Sequence, residues 1–129
     1  MSERKVMIVD DALFMRTMLR KALAGAENLE VLEAADGPAA VQLYREQHPM
    51  LVLLDISMPG MNGIEVLKAI RAFDADACVV MCSAIGQESM ILEAVNSGAA
   101  DFIVKPFRTE QILAAVELAR ARQDGGGAQ

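Results

Sequence analysis

Apolar and polar positions divide the chain into a repeated unit, a short apolar run followed by a segment with apolar residues every three or four positions. The first unit is the run Lys5 to Val9 and a segment with apolar residues at 15, 18, 19, 22 and 23, followed by Gly25. The run is typical of a strand covered on both faces, and the spacing is typical of an amphipathic helix. Gly25 stands where such a helix is expected to end.

Four further units have the same order. Strands are predicted at 30–34, 51–54, 78–82 and 101–105, and helices from about 37 to 47, from about 63 to 72, up to Gly98, and after Pro106 to about Arg122. Such alternation predicts a doubly wound α/β fold, in which helices cover both faces of a parallel sheet. Residues 1–122 are expected to form one domain, and the Gly-rich tail 123–129 is expected to be disordered.

Polar side chains stand where four of these strands end. In a doubly wound sheet the functional crevice lies beyond the carboxyl ends of the strands, so we expect these side chains to lie together. Asp55 is the most informative, because it follows the apolar run 51–54 and a buried carboxylate needs a partner, a metal or solvent. The complete set stands at the ends of strands one, three, four and five: Asp10 and Asp11, Asp55, Ser83, and Lys105.

This set of side chains has a definite chemistry. Three carboxylates at one place repel one another unless a cation lies between them, and oxygen ligands of this kind suit Mg²⁺. The metal and Lys105 together balance the three negative charges, so the pocket could receive a phosphoryl group while a carboxylate attacks it. Each residue alone is equally typical of a helix cap, a turn or a strand end in solvent. The combination therefore carries the prediction of an aspartyl phosphate.

Composition and charge exclude several classes of partner. Twelve basic and eighteen acidic residues give a net charge of −6, which disfavours binding to nucleic acid or to an anionic membrane. The apolar run that ends at Val9 is too short for a signal peptide or a spanning helix, so we expect a cytoplasmic protein with protein partners. Cys78 and Cys82 are predicted to be buried free thiols, and Arg16 and Arg20 are expected on a solvated helix face.

The motifs resemble those of response-regulator receiver domains, from Lys5 to about Arg120. The resemblance is strongest to single-domain chemotaxis regulators of that family. It is carried by Ile-Val-Asp-Asp-Ala-Leu-Phe-Met-Arg (8–16), Asp-Ile-Ser-Met-Pro-Gly-Met-Asn-Gly (55–63), Cys-Ser-Ala-Ile-Gly-Gln (82–87) and Gly-Ala-Ala-Asp-Phe-Ile-Val-Lys-Pro-Phe (98–107). It implies a flavodoxin-like, five-stranded parallel sheet in the order 2-1-3-4-5, with five helices.

The resemblance also implies a role for each site residue. Asp55 would be the phosphoacceptor, Lys105 would pair with the phosphoryl oxygens, and Ser83 would be the hydroxyl that moves to bond the phosphoryl group. Mg²⁺ would be bound by Asp10, Asp11, Asp55 and the backbone carbonyl of Ser57. A switch would comprise Ser83, the small Ala84, the aromatic Phe102 that turns inward, and Pro106 after a cis peptide bond.

The partners implied by the resemblance are proteins. A sensor histidine kinase resembling CheA would donate the phosphoryl group, the flagellar motor switch protein would be the target, and a phosphatase is possible. The chain would catalyse only its own phosphorylation and dephosphorylation. We also expect a monomer, since nothing in the last predicted helix forces a dimer.

Three alternatives stay open at this point. Two lie within the family, a phosphorelay intermediate and a regulator unrelated to motility. A third is a phosphatase of the haloacid-dehalogenase type, although that class has Asp-x-Asp at the first strand and this chain has adjacent aspartates. A flavodoxin-like electron carrier is disfavoured, since Asp10 and Asp11 would repel the phosphate of FMN.

Overall fold

Strands and helices alternate through the chain, as the apolar pattern predicts. The structure is a computed structural model that describes residues 4–125. Its elements in chain order are β1 (Arg4–Val9), α1 (Leu13–Leu23), β2 (Leu29–Ala34), α2 (Gly37–Gln47), β3 (Leu51–Asp55), α3 (Gly63–Phe73), β4 (Val79–Ser83), α4 (Glu88–Asn96), β5 (Asp101–Val104) and α5 (Thr109–Gly125).

The five strands form one parallel sheet in the order β2-β1-β3-β4-β5, which confirms the predicted fold. The register pairs Val9 with Leu54 and Asp55 with Cys82, and it pairs Ser83 with Val104. The carboxyl ends of the four strands that carry the predicted site residues therefore lie side by side at one edge of the sheet.

The core lies on both faces of the sheet because successive side chains of a strand point to opposite faces. Val9, Leu54 and Met81 pack with helices α2, α3 and α4 on one face. Ile8, Leu53 and the other residues of alternate parity pack with α1 and α5 on the second face. Cys78 and Cys82 are buried and free on this second face, as the sequence predicts.

Several element boundaries differ from the sequence-based prediction. Helix α5 continues to Gly125, beyond the predicted end at Arg122, so residues 123–125 of the expected tail are helical. An ion pair of 2.7 Å between Arg4 and Asp124 joins this last turn to β1, a contact that no local pattern reveals. Residues 126–129 of the predicted tail lie outside the described residues. Within residues 4–125, every helix is too short or too polar to span a membrane.

Candidate functional site

The predicted site residues converge at the carboxyl edge of the sheet. Asp10 follows β1, Asp55 and Ser83 are the last residues of β3 and β4, and Lys105 follows β5. Carboxylate oxygens of Asp10, Asp11 and Asp55 all lie within 4.8 Å of one another. Asp10 and Asp55 are buried whereas Asp11 is exposed, so the cluster opens to solvent on the Asp11 side.

Lys105 joins the two buried carboxylates of this cluster. Its Nζ donates to Oδ1 of Asp55 at 2.9 Å and to Oδ2 of Asp10 at 3.2 Å. Burial raises the pKa of Asp55, and the hydrogen bond and charge of Lys105 offset this only in part. Burial would lower the pKa of Lys105, but the two carboxylates raise it above its ordinary value. The ammonium therefore stays charged, and three carboxylates face one cation.

A hydrogen-bond network that the sequence did not predict holds Asp10 in place. The N–H of Ala12 donates to Oδ1 of Asp10 at 2.9 Å, and Nη1 of Arg16 donates to the backbone carbonyl of Asp10 at 2.8 Å. Nε of the same guanidinium donates to Glu33 at 2.9 Å, and Arg20 donates to the other oxygen of Glu33. The expectation of a solvated Arg16 was wrong, because only 15% of its side chain is exposed. Arg16 therefore stabilises the loop that carries Asp10 and Asp11.

The chain turns back sharply after Asp55, and Gly63 makes this turn possible. A Cβ atom on Gly63 would lie 2.2 Å from the carbonyl oxygen of Asp55 and 2.7 Å from Cα of Ile56. The N–H of Gly63 donates to the carbonyl of Ile56 at 2.8 Å, and Asn62 and Glu65 cap the start of α3 with reciprocal hydrogen bonds. A backbone contact of this closeness needs glycine, so Gly63 fixes the path of the loop that follows Asp55.

Ser83 ends β4, and Ala84 begins the loop that leads to α4. Ser83 is fully buried, and its Oγ has no hydrogen-bond partner among the described residues. The N–H of Ala84 donates to Oε1 of Gln87 at 2.7 Å, and Nε2 of Gln87 donates to Oγ of Ser57. Ser57 is exposed, two residues after Asp55. Gln87 lies in one of the motifs that carry the resemblance. Nothing in the sequence predicted that its side chain would link Ala84 to Ser57.

The two remaining residues of the expected switch, Phe102 and Pro106, lie on and after β5. Phe102 is 41% exposed, so its ring faces solvent and not the interior. The Lys105-Pro106 peptide bond is cis, as the resemblance implies. The N–H of Lys105 donates to the carbonyl of Ser83 at 2.7 Å. This bond ties the backbone of the lysine directly to the residue with the unpartnered hydroxyl.

The arrangement fits a divalent cation and a ligand rich in oxygen atoms. Asp10, Asp11 and Asp55 bring three negative charges against the single positive charge of Lys105, which leaves an excess that Mg²⁺ would balance. A buried hydroxyl without a partner costs about 1–3 kcal/mol, so the Oγ of Ser83 favours a ligand that offers it a polar oxygen. The three carboxylates, the ammonium of Lys105 and the unpartnered hydroxyl of Ser83 lie at one edge of the sheet and can therefore contact the same ligand.

Comparisons with known proteins agree with this geometry. A family model for the response regulator receiver domain matches residues 6–117. The chain is 48% identical over 112 residues to the chemotaxis protein CheY of Bacillus subtilis, which covers 87% of this chain and 93% of that protein. It is 36% identical over 117 residues to the sporulation initiation phosphotransferase F of the same organism, over 91% of this chain and 94% of that protein.

A solved structure gives the same result. The chemotaxis protein CheY4 of Vibrio cholerae matches with a TM-score of 0.83 and 29% sequence identity, over 92% of this chain and 99% of that chain. The resemblance predicted from the motifs is confirmed, and the fold and the family agree. The chain belongs to the response-regulator receiver domains of two-component signalling.

Proposed function

We propose that the chain is a phosphorylation-activated switch, in which Asp55 accepts a phosphoryl group from a sensor histidine kinase. The observation that carries this proposal is the buried carboxylate of Asp55, which Lys105 holds at 2.9 Å beside Asp10 and Asp11. The likeness to two chemotaxis proteins supports the flagellar motor switch as the target. The chemistry is confined to the protein's own phosphorylation and dephosphorylation, and the site of action is the cytoplasm.

The residues of the site have distinct parts in the phosphoryl transfer. Asp10, Asp11, Asp55 and the backbone carbonyl of Ser57 would hold Mg²⁺, which when bound offsets negative charge on the phosphoryl oxygens. Lys105 supplies a positive charge to the same oxygens and orients Asp55. A carboxylate oxygen of Asp55 forms a bond to phosphorus while the P–N bond of the donor phosphohistidine breaks, and the electron pair of that bond returns to the imidazole nitrogen.

The switch would use the unpartnered hydroxyl of Ser83. A phosphoryl oxygen on Asp55 offers that hydroxyl an acceptor, so Ser83 moves toward it and Phe102 turns inward past Ala84. A change from 1% to 99% active needs roughly 5.5 kcal/mol of preference for the active form. Hydrogen bonds to a charged group contribute about 1.5–3 kcal/mol each, so two to four of them are sufficient. Phe102 has no hydroxyl, and its contact with a target is therefore apolar.

Labelling with a small donor tests the acceptor. The protein is incubated with acetyl phosphate and Mg²⁺, and the intact mass is measured. We expect one phosphoryl group on the wild type, none on Asp55→Asn and none on any variant in EDTA. Asp76→Asn is the matched control, since Asp76 is exposed beyond the end of α3, and it should be labelled like the wild type. Persistent Mg²⁺-dependent labelling of Asp55→Asn would refute Asp55 as the acceptor.

Binding to a partner peptide tests the output. We expect a peptide from a flagellar motor switch protein to bind more tightly in Mg²⁺ with beryllofluoride, which stands in for the phosphoryl group on Asp55, than without it. Equal affinity, in a protein that still accepts the label on Asp55, would refute the motor as the target. Size-exclusion chromatography with light scattering checks the expectation of a monomer in both states.

A second candidate function is that of a phosphorelay intermediate. The 36% identity to a sporulation initiation phosphotransferase favours it. Both functions begin with a phosphoryl group on Asp55, and they differ in the next step. Transfer of label from the phosphorylated protein to a histidine phosphotransfer protein, measured by phosphate-affinity electrophoresis, would establish the relay. Hydrolysis of the phosphoryl group without transfer to the histidine protein would exclude the relay and support the switch.

A further inference from the structure

Gln87 connects the two loops that flank the acceptor. It lies at the start of α4, half-buried, and its side chain makes no cap hydrogen bond to that helix. Instead its Oε1 accepts from the N–H of Ala84 at 2.7 Å, and its Nε2 donates to Oγ of Ser57. Both ends of one carboxamide are thus used on two different loops. We call this contact the Gln87 bridge.

The bridge connects the loop after β3 to the loop after β4, just beyond the last backbone pairing between these two strands. The ladder between these strands ends with Asp55 paired to Cys82. Ser57 lies two residues after Asp55 and Ala84 lies one residue after Ser83, so the bridge spans both proposed functional positions. Gly86, one residue before Gln87, has a φ of +97°, a left-handed conformation that glycine adopts without strain.

The bridge also decides which donors are free in the resting state. The N–H of Ala84 is directed to Gln87 and is therefore not available to an oxygen atom on Asp55. The adjacent Oγ of Ser83 is buried and unpartnered. A movement of Ser83 and the following β4–α4 loop toward a phosphoryl oxygen would stretch or break the hydrogen bonds of the bridge.

We propose that Gln87 is a positioning residue that holds the β4–α4 loop in its resting conformation, and that the bridge opens when Asp55 carries a phosphoryl group. This inference rests on the proposed function of Asp55. Opening releases the N–H of Ala84 toward the phosphoryl oxygens and frees the hydroxyl of Ser57. Loss of the bridge lowers the free energy needed to move Ser83, so it favours the active form before any partner binds.

Beryllofluoride affinity tests the proposal without a partner protein. Binding in Mg²⁺ is measured by fluorine NMR for the wild type, Gln87→Ala and Gln42→Ala. We expect Gln87→Ala to bind about tenfold more tightly, which corresponds to about 1.4 kcal/mol and is within the range for the loss of two hydrogen bonds. Gln42→Ala is the matched control, because Gln42 bonds to Glu46 on the exposed face of α2, and it should bind like the wild type.

A double-mutant cycle separates a bridge from general damage. Ser57→Ala removes one end of the bridge and Gln87→Ala removes both, so we expect Ser57→Ala to add nothing when Gln87 is already alanine. The amide of Ala84 should also exchange with solvent faster in Gln87→Ala. If the wild type binds beryllofluoride and Gln87→Ala binds it equally or more weakly, the proposed role of the bridge in holding the resting conformation is refuted. If the wild type itself binds none, the proposed function of Asp55 fails instead.

Discussion

Replacing Lys105 by methionine would leave the buried carboxylates of Asp10 and Asp55 without the ammonium that joins them. The side chains of Asp10 and Asp55 are 3% and 7% exposed, so water compensates them poorly. Methionine keeps an apolar stem of similar length, and the change therefore removes charge more than packing. We expect Lys105→Met to lose stability in the absence of a metal and to recover much of it when Mg²⁺ is added.

The size of the loss follows from the geometry. Without the ammonium, nothing offsets the repulsion between the two carboxylates, which is about 3.5 kcal/mol at an effective dielectric constant of 20 for the upper limit of 4.8 Å between their oxygens. Protonating one aspartate would relieve this repulsion, and at pH 7 that costs about 4 kcal/mol from the ordinary pKa of the side chain. We therefore expect a loss of about 3–4 kcal/mol in EDTA. This is a large part of the 5–15 kcal/mol that stabilises an ordinary domain.

Urea denaturation followed by circular dichroism measures this loss, in EDTA and in excess Mg²⁺. Mg²⁺ should raise the free energy of unfolding more in Lys105→Met than in the wild type. Lys68→Met is the matched control, because Lys68 and Glu93 form an exposed ion pair of 3.0 Å that should contribute less than about 1 kcal/mol. A variant within about 1 kcal/mol of the wild type in EDTA, or an equal gain from Mg²⁺ in both proteins, would refute this electrostatic reasoning.

Three further predictions concern other parts of the fold. Gly63→Ala should cost about 1–3 kcal/mol in urea denaturation, because its Cβ would force the backbone of Asp55 to shift. Burial raises the pKa of Cys78 and raises that of Cys82 to about 12, so Ellman's reagent at pH 8 should detect no thiol in the native protein and two per chain in guanidinium. Arg20 and Arg16 lower the pKa of Glu33, so this carboxylate stabilises the fold above its unfolded pKa and loses that effect as the pH falls through its folded pKa. Glu33→Gln should be up to about 1 kcal/mol less stable than the wild type at pH 7 by urea denaturation, and the difference should decrease as the pH is lowered below the ordinary pKa of a glutamate.

The sequence predicted the part of the site that depends on strand ends. Asp55 stands after four apolar residues, and parallel strands place their carboxyl ends together, so its meeting with Asp10 and Lys105 needed no knowledge of side-chain contacts. The strand order came from the resemblance and not from the periodicity. Once the order is known, each strand end has a place at the edge of the sheet.

Contacts between loops and helices could not be predicted in this way. Arg16 reaches Glu33 only because β2 lies beside β1, and its hydrogen bond to Asp10 depends on the rotamer of a long side chain. The Gln87 bridge depends on the path of two loops, which no periodicity describes. The predicted end of α5 was wrong for a similar reason. The ion pair at its last turn joins Asp124 to Arg4, which lies 120 residues away in sequence.

The position of Lys105 after the last strand has a consequence for the synthesis of the protein. Asp10 and Lys105 are 95 residues apart, and ribosomes add roughly 5–20 residues per second, so an interval on the order of ten seconds separates them. A nascent chain that has formed β1 to β4 carries the carboxylates of Asp10 and Asp55 without the ammonium that joins them. The site is completed only when β5 has left the ribosome and joined the sheet, so a partly made chain lacks the one cation that its buried carboxylates share.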